Sequence, residues 1–345
     1  MFVLLLAKQF PEVCFHINGK KQYTKAFEQI TNIRIHNDSD CSDKMNSILR
    51  HISKKDFRFL FRARRCALAI YIGGSLYIQP PEKNRTGYYL NNRNMRLPQK
   101  PFFVIGANFG PYTDEEFIHF FRREFKEYTG VSFRDQKSLE LFPESDNTQA
   151  APDILFGIKT AYGELQKKKT VCAEKGDIVF SMIGKNSVQN APVYIAHMSG
   201  LAQQYINAGY QVKLLSLCEY QGDLDACRQV KQKISGEAEL VNYDGCPETV
   251  IACIANAKYL VGSRFHAIVS ALAFQVPVLP VVYSSKTTDM LKEIGYRGAW
   301  FDINETERIS FAFAEECRRK KITVDSDRLS QMSKKHFDLL RPFCS

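Results

Sequence analysis

The chain has 345 residues, 45% of them hydrophobic, and a formal charge of +10, so a sizeable core can be buried and intrinsic disorder is excluded. The positive balance suits anionic small molecules, nucleic acid or an anionic membrane face, and charge alone does not choose among them. The ten cysteines, spread from Cys14 to Cys344, show no C-x-x-C pair and no zinc-like Cys/His spacing, which reads as reduced, mostly buried thiols in a cytosolic protein and gives no zinc module.

Met1 to Leu6 is too short for a signal sequence or a membrane span and has no basic residues before it. Met1 to Gln9 reads as helix, and the short apolar strands Val13 to Ile17 and Ile33 to Ile35 alternate with helical patterns at Phe27 to Ile30 and Met45 to Ile52. This is a βαβ rhythm. Lys54, Lys55, Arg58, Arg62, Arg64 and Arg65 then share a helical segment with Phe57, Leu60 and Phe61. Such a cluster is either a solvated face or a peripheral contact with anionic lipid.

Cys66 to Ile72 is a strand by run length and ends in Gly73, Gly74 and Ser75, which permit either close backbone approach to a ligand or a plain tight turn. Tyr77 to Lys100, rich in Pro, Asn and Arg, lacks periodicity and is expected as a long loop on a substrate rim. Phe102 to Gly106 is the next strand, and Ala107 to Pro111, including Asn108, lead to a helix opened by a capping box at Thr113 to Glu116. The Phe117, Phe121, Phe125 and Tyr128 stripe belongs to the core. After the brief strand Val131 to Phe133, Arg134 and Asp135 read, taken alone, as a local ion pair at a helix start. Asp153 is assigned a structural role where a first domain, residues 1–156, closes; residues 157–170 are a polar and basic linker.

The second domain, residues 171–345, has strands at Asp177 to Met182, Val212 to Leu217 and Ala238 to Val241, and helices at Val193 to Asn207, Asp223 to Ile234 and Pro247 to Asn256. Gly209 caps the first of these helices, and Asp223 is the expected N-cap of the second. Ala257 to Val261 is a buried strand closed by Gly262. Ser263 stands where a helix begins, and Ala267, Ile268, Ala271, Leu272 and Phe274 recur at spacings of three and four. Val276 to Val282 is another strand, delivering Tyr283 to Lys286 to a helix at Thr288 to Ile294. Two strand-to-helix turns therefore face the same way, and in open α/β sheets ligands bind beyond the carboxyl ends of the strands, where helix amides attract anions. Arg264, His266 and Lys286 stand there; spacing alone favours Arg264 as a surface cap of the sheet and His266 as a histidine satisfied within its helix over a functional reading. Helices at Glu305 to Arg319 and Asp325 to Leu340 are expected to pack back across the first domain.

The run GSRFHAIVSALAFQVPVLPVVYSSK, Gly262 to Lys286, resembles the C-terminal signature of the polysaccharide pyruvyltransferase family, an R-x-H-A-x-x-x-A-L-A helix followed by G-V-P-V and a Y-x-x-K loop. Gln275 stands where that family has glycine. Val131, Ser132, Arg134, Asp135 and Ser138 match its V-S-x-R-D-x-x-S element, whose arginine holds the donor substrate, and Gly73 to Ser75 match a G-G-[GS] turn. The family's first strand and N-x-G-D turn have no counterpart here, so either the start lies upstream or a piece of the first half is lost.

The resemblance implies an α/β protein of two Rossmann-like domains facing a central cleft, as in GT-B enzymes. It further implies transfer of a pyruvyl group from phosphoenolpyruvate to two hydroxyls of a sugar in a capsule, exopolysaccharide or lipopolysaccharide. Arg264 and His266 are then catalytic, with His266 as the acid, while Arg134, Ser263, Ser285, Lys286, Asn108 and Gly74 bind substrate. No metal or cofactor is implied. The partners are phosphoenolpyruvate and a sugar acceptor, free or lipid-linked, with an anionic membrane face as a peripheral contact and no nucleic acid. Acceptor choice is expected in the Tyr77 to Lys100 stretch. Two alternatives remain: a GT-B glycosyltransferase using a nucleotide sugar, whose paired acids have no counterpart at Tyr283 to Lys286, and a non-catalytic basic binding protein of the same pathway.

Overall fold

The computed structural model describes residues 2–18, 27, 30–36, 53, 56–97, 99–166, 176–320 and 324–344. The expected helix at Met45 to Ile52, most of that at Phe27 to Ile30, and Lys54 and Lys55 of the basic cluster lie outside the described residues, as do Lys167 to Lys169. The chain divides into two units, one of residues 2–154 with 332–345 and one of residues 155–331.

In the first unit, α1 (Phe2–Gln9) precedes the parallel pair β1 (Phe15–Asn18) and β2 (Ile33–His36). After α2 (Phe57–Ala63) and β3 (Ala69–Ile72) comes α3 (Glu82–Met95), in the stretch expected as a loop. This helix has little local signal because only Asn92 of it is buried, and neighbours hold it in place. Tyr89 stacks on Phe120 with ring centroids 4.0 Å apart, Arg85 meets Asp114 at 2.9 Å and Arg93 meets Glu124 at 2.7 Å. Tertiary contacts have overridden a weak propensity.

β4 (Phe102–Ala107) is wholly buried and leads to α4 (Glu115–Lys126). The N-cap of α4 is Asp114, which accepts from the Phe117 amide at 3.1 Å; Thr113, the expected cap, donates its amide to Gln79 Oε1 instead. β5 (Gly130–Phe133), α5 (Gln136–Glu140) and β6 (Thr148–Ala150) complete a four-stranded parallel sheet of order β3-β4-β5-β6. The expected aromatic stripe is its core: Phe117, Phe121 and Phe125 are inaccessible to solvent, and Tyr77 packs edge-on against Phe121.

The described part of the expected linker, residues 157–166, is largely helical. Residues Ile154–Gly157 and Gly163–Leu165 form single 3-10 turns around α6 (Ile158–Tyr162), whose Ile158, Ala161 and Tyr162 are buried. Then follow β7 (Asp177–Ser181), α7 (Ala191–Asn207), β8 (Gln211–Ser216), α8 (Asp223–Lys233), β9 (Ala238–Asn242), α9 (Pro247–Ala255), β10 (Tyr259–Gly262), α10 (Phe265–Ala273), β11 (Val278–Val282), α11 (Ser285–Glu293), β12 (Phe301–Asp302), α12 (Phe311–Arg319) and α13 (Ser326–Ser333). The six strands are all parallel, in the order β12-β11-β10-β7-β8-β9. The chain winds outward from β7 through β8 to β9, then returns to the other side of β7 and winds away through β10. This is the doubly wound arrangement, with its switch point between β7 and β10.

Two helix ends in this unit show how sequence sets geometry. Gly209, in the left-handed region at φ 81°, ends α7 with its amide on Ile206 O and the Tyr210 amide on Tyr205 O. Gln275 ends α10 with the same two bonds, its amide to Leu272 O and that of Val276 to Ala271 O, at φ 56°. Both are Schellman caps, and the family's glycine at Gln275 answers a backbone conformation that suits glycine better.

The last residues, 332–345, belong to the first unit. They form a 3-10 run, Lys334–Phe343, in which Phe337 packs against Phe2 and Phe10 and Phe343 against Phe103. The continuous helix expected to Leu340 therefore stops at Ser333.

Candidate functional site

Three loops of the second unit meet beyond the carboxyl ends of β7, β8 and β10. Arg264 occupies the N-cap position of α10, with extended backbone. Its Nε donates to Asp223 Oδ2 at 2.7 Å, one terminal nitrogen to Asp223 Oδ1 and the other to Gln221 Oε1. Asp223, wholly buried, also accepts the amides of Gly184 at 3.1 Å and Cys218 at 3.0 Å. The residue expected as a helix N-cap is instead the first residue of α8, behind a left-handed Gly222 at φ 87°. Its carboxylate is taken by the arginine and two loop amides. Burial works against the charge on Arg264, but hydrogen bonding to Asp223 and its charge together outweigh this and raise the arginine's pKa. A side chain at Gly184 would overlap the Gln221 carbonyl, so the loops after β7 and β8 pack backbone to backbone.

A guanidinium has five N–H groups, and these contacts use three. One N–H on each terminal nitrogen is left, oriented by the fork with Asp223 and able to meet an anion's oxygens. Because Asp223 offsets much of the arginine's charge, further positive charge at this edge must come from neighbouring groups. His266 is exposed in the first turn of α10, two residues on. Lys286 is half-buried and Ser285 exposed in the first turn of α11, which starts three residues earlier than the spacing suggested, so both lie on a helix rather than in a loop. Ser263 is buried and shares a 2.9 Å hydrogen bond with the Tyr194 hydroxyl, while its amide donates to Ser181 O across the switch point. Its hydroxyl thus belongs to the packing under the turn.

The first unit brings Arg134, Asn108 and Gly74 together. Arg134, buried, donates to Asp153 Oδ2 at 3.1 Å and to Asn108 Oδ1 at 2.8 Å, and the Asn108 amide donates to Gly74 O at 2.6 Å. A Cβ at Gly74 would lie 2.6 Å from an Arg134 terminal nitrogen, so glycine makes room for the guanidinium. Asp135 caps α5 by accepting from the Ser138 amide. The long-range partner of Arg134 is therefore Asp153, which gives the structural role assigned to that aspartate a definite content.

Beneath this cluster lies a histidine that sequence reasoning did not single out. His336, with no solvent exposure, sits 2.5 Å from Ser132 Oγ through Nδ1 and 3.0 Å from the Pro152 carbonyl through Nε2. Nε2 therefore donates to the carbonyl, and in the neutral ring Nδ1 accepts from the serine hydroxyl. Burial drives its pKa down to about 4, with the Asp153 charge opposing the shift. No local pattern marks His336, because both partners come from distant strand ends.

A doubly wound parallel sheet with the Arg264 turn at its switch point, preceded by a second parallel α/β unit, has the two-domain architecture of GT-B enzymes. Solved structures with this fold include UDP-GlcNAc 2-epimerase from Neisseria meningitidis (TM-score 0.63, 10% identity, 99% of this chain and 95% of that one covered). They also include a putative UDP-N-acetylglucosamine 2-epimerase from Listeria monocytogenes (TM-score 0.57, 11% identity, 99% and 90%) and a UDP-glucosyltransferase from Polygonum tinctorium (TM-score 0.53, 10% identity, 99% and 94%). At such identities the likeness concerns fold alone.

Residues 5–285 match the Polysaccharide pyruvyl transferase family, and the chain belongs to that family. It is also similar to the amylovoran biosynthesis protein AmsJ of Erwinia amylovora, 23% identical over 226 residues that cover 58% of this chain and 53% of AmsJ. The match thus spans about half the length of that relative. Among the described residues, no helix is long and apolar enough to cross a membrane.

Proposed function

We propose that the protein transfers the pyruvyl group of phosphoenolpyruvate to two hydroxyls of one sugar in a surface polysaccharide, forming a pyruvate ketal and releasing phosphate. The observation that carries this reading is the switch-point turn, where an arginine oriented by a buried carboxylate is followed, two residues on, by an exposed histidine in a helix's first turn. Phosphoenolpyruvate carries about three negative charges on a small skeleton and calls for oriented forks as well as cations. In the second unit, Arg264 supplies the fork and Lys286 and protonated His266 the charge. In the first unit, Arg134, set by Asp153 and Asn108, is the donor ligand that the family pattern assigns.

The proposed chemistry balances without a redox partner. A proton goes from His266 to the methylene carbon, which becomes methyl, and one sugar hydroxyl adds to the adjacent carbon. The second hydroxyl then displaces phosphate from that carbon, and the two hydroxyl protons return to the histidine and leave with the phosphate. Histidine suits the first step because its ordinary pKa lies near neutrality, and a bound anion favours its charged form. Within the first unit the proposed substrate-binding residues Gly74 and Asn108 shape the backbone and packing behind Arg134; within the second, Ser263 packs under the Arg264 turn and Ser285 lies beside Lys286.

Thermal unfolding with phosphoenolpyruvate and with UDP-sugars tests the donor. At a donor concentration of ~100 Kd the stability gain is about 2.7 kcal/mol. Ketal formation and phosphate release with defined polysaccharide or lipid-linked sugars test the transfer. A larger stabilisation by a UDP-sugar than by phosphoenolpyruvate would reject this reading in favour of a nucleotide-sugar glycosyltransferase.

A further inference from the structure

Beside Arg264, within the second unit, the loop after β7, the start of α7 and the 219–232 segment enclose a groove of about 470 Å³. Its polar lining includes four side-chain amides, Asn186, Gln221, Gln229 and Gln232, beside two cationic and two anionic side chains. Amides donate and accept at once, which suits a ligand of many hydroxyls better than an anion, for which donors alone are wanted. The charges in the wall cancel. Lys185 and Arg228 equal Glu219 and Asp225 in number, and Arg228 is paired with Asp225 at 3.4 Å. A polyphosphate would find no net cation here, whereas an uncharged ligand meets no penalty.

At the groove stands Tyr220, 99% exposed, the extreme among the exposed large apolar side chains. It sits at the centre of a 3-10 turn, Glu219–Gln221, which Gly222 closes in the left-handed region and Gly184 abuts through its missing side chain. A solvent-facing aromatic ring on a tightly held turn offers a flat apolar surface for the C–H face of a pyranose, with its hydroxyls left to surrounding amides. Gln221, next in sequence, lines the groove and accepts a hydrogen bond from Arg264. The groove is therefore joined through one side chain to the arginine assigned to the donor.

From the amide lining, the cancelled charges and the exposed Tyr220, we infer that this groove is the acceptor subsite and takes an uncharged, hydroxyl-rich saccharide stacked on Tyr220. This rests on the pyruvyl-transfer reading and assigns its acceptor side to the second unit, in place of the Tyr77 to Lys100 stretch.

The full chain is titrated with lactose, maltose and mannobiose by saturation-transfer-difference NMR, with UDP and a glucuronic acid disaccharide as charged probes, while phosphoenolpyruvate binding is followed separately by calorimetry. At least one neutral disaccharide binds in the millimolar range. Tyr220→Ala weakens it tenfold or more and Gln229→Ala several-fold, with phosphoenolpyruvate affinity unchanged in both. Because Tyr220 is almost wholly exposed, its removal leaves the fold intact, as circular dichroism will verify. Binding unaltered in Tyr220→Ala, failure of all three neutral probes, or tighter binding of a charged probe overturns the assignment. Saccharide binding without any phosphoenolpyruvate binding overturns the pyruvyl-transfer reading instead and leaves a saccharide site standing.

Discussion

The buried His336 makes stability of the first unit depend on pH in a calculable way. Its pKa in the folded protein is about 4, against an ordinary value near 6.5. The depressed value means that the unfolded chain binds a proton between these limits and the folded one does not. The contribution is therefore fully present above pH 6.5 and is lost as pH falls through that value towards 4. With these two values, the loss from this residue amounts to about 2 kcal/mol at pH 5 and approaches about 3 kcal/mol at lower pH. His336→Gln keeps a donor near the Pro152 carbonyl but cannot titrate. Hydrogen exchange of the β5 and C-terminal peptides at pH 7 and pH 5 reads opening of this unit directly. The wild type should lose about 2 kcal/mol more of protection than His336→Gln over that interval. An equal loss in both proteins would refute the neutral, doubly bonded histidine.

Asp223→Ala leaves the largely buried Arg264 without its carboxylate and should cost about 3 to 5 kcal/mol in urea unfolding, whereas Asp223→Leu combined with Arg264→Met should recover most of it; an exposed pair would show neither effect. Gly74→Ala drives a methyl into the Arg134 guanidinium and should weaken phosphoenolpyruvate binding by about 1.5 to 3 kcal/mol in calorimetry, with unchanged affinity counting against Arg134 as a donor ligand. His266→Gln should lower kcat by ~100-fold or more while keeping donor affinity within a few fold, and near-normal turnover would move the acid elsewhere. Gln275→Gly relieves a left-handed backbone at the end of α10 and should raise stability by about 1 kcal/mol, seen as a higher Tm.

What could be read along the chain was what has a local physical signature. The α10 stripe, the strands on either side of it and the cap at Gly209 follow from apolar spacing and from one residue's backbone freedom. Even the departure at Gln275 marks, in one dimension, a place where the backbone takes a left-handed turn. Parallel α/β units were legible for the same reason, since alternation of short apolar runs with helical periods admits few other folds. The family signature placed Arg264, His266 and Arg134 at strand ends because a β-strand followed at once by a helix can present its loop only there.

Tertiary structure decided which groups hold which. Asp223 looked like a cap because it opens a helical stretch, yet its partner lies 41 residues on, across the sheet's switch point, and only the strand order β8-β7-β10 brings the three loops together. A pairing of Arg134 with the adjacent Asp135 could be read locally, but its long-range partner Asp153, brought up by the register of β5 and β6, could not. The polar helix α3 has no apolar stripe of its own and exists because Tyr88 and Tyr89 meet the aromatic face of α4. His336 meets Ser132 across 204 residues of chain. The physical reason is common to all four: periodicity encodes which face of an element is apolar, whereas the partner of a buried charge or ring is set by strand order and register, which no neighbouring residue records.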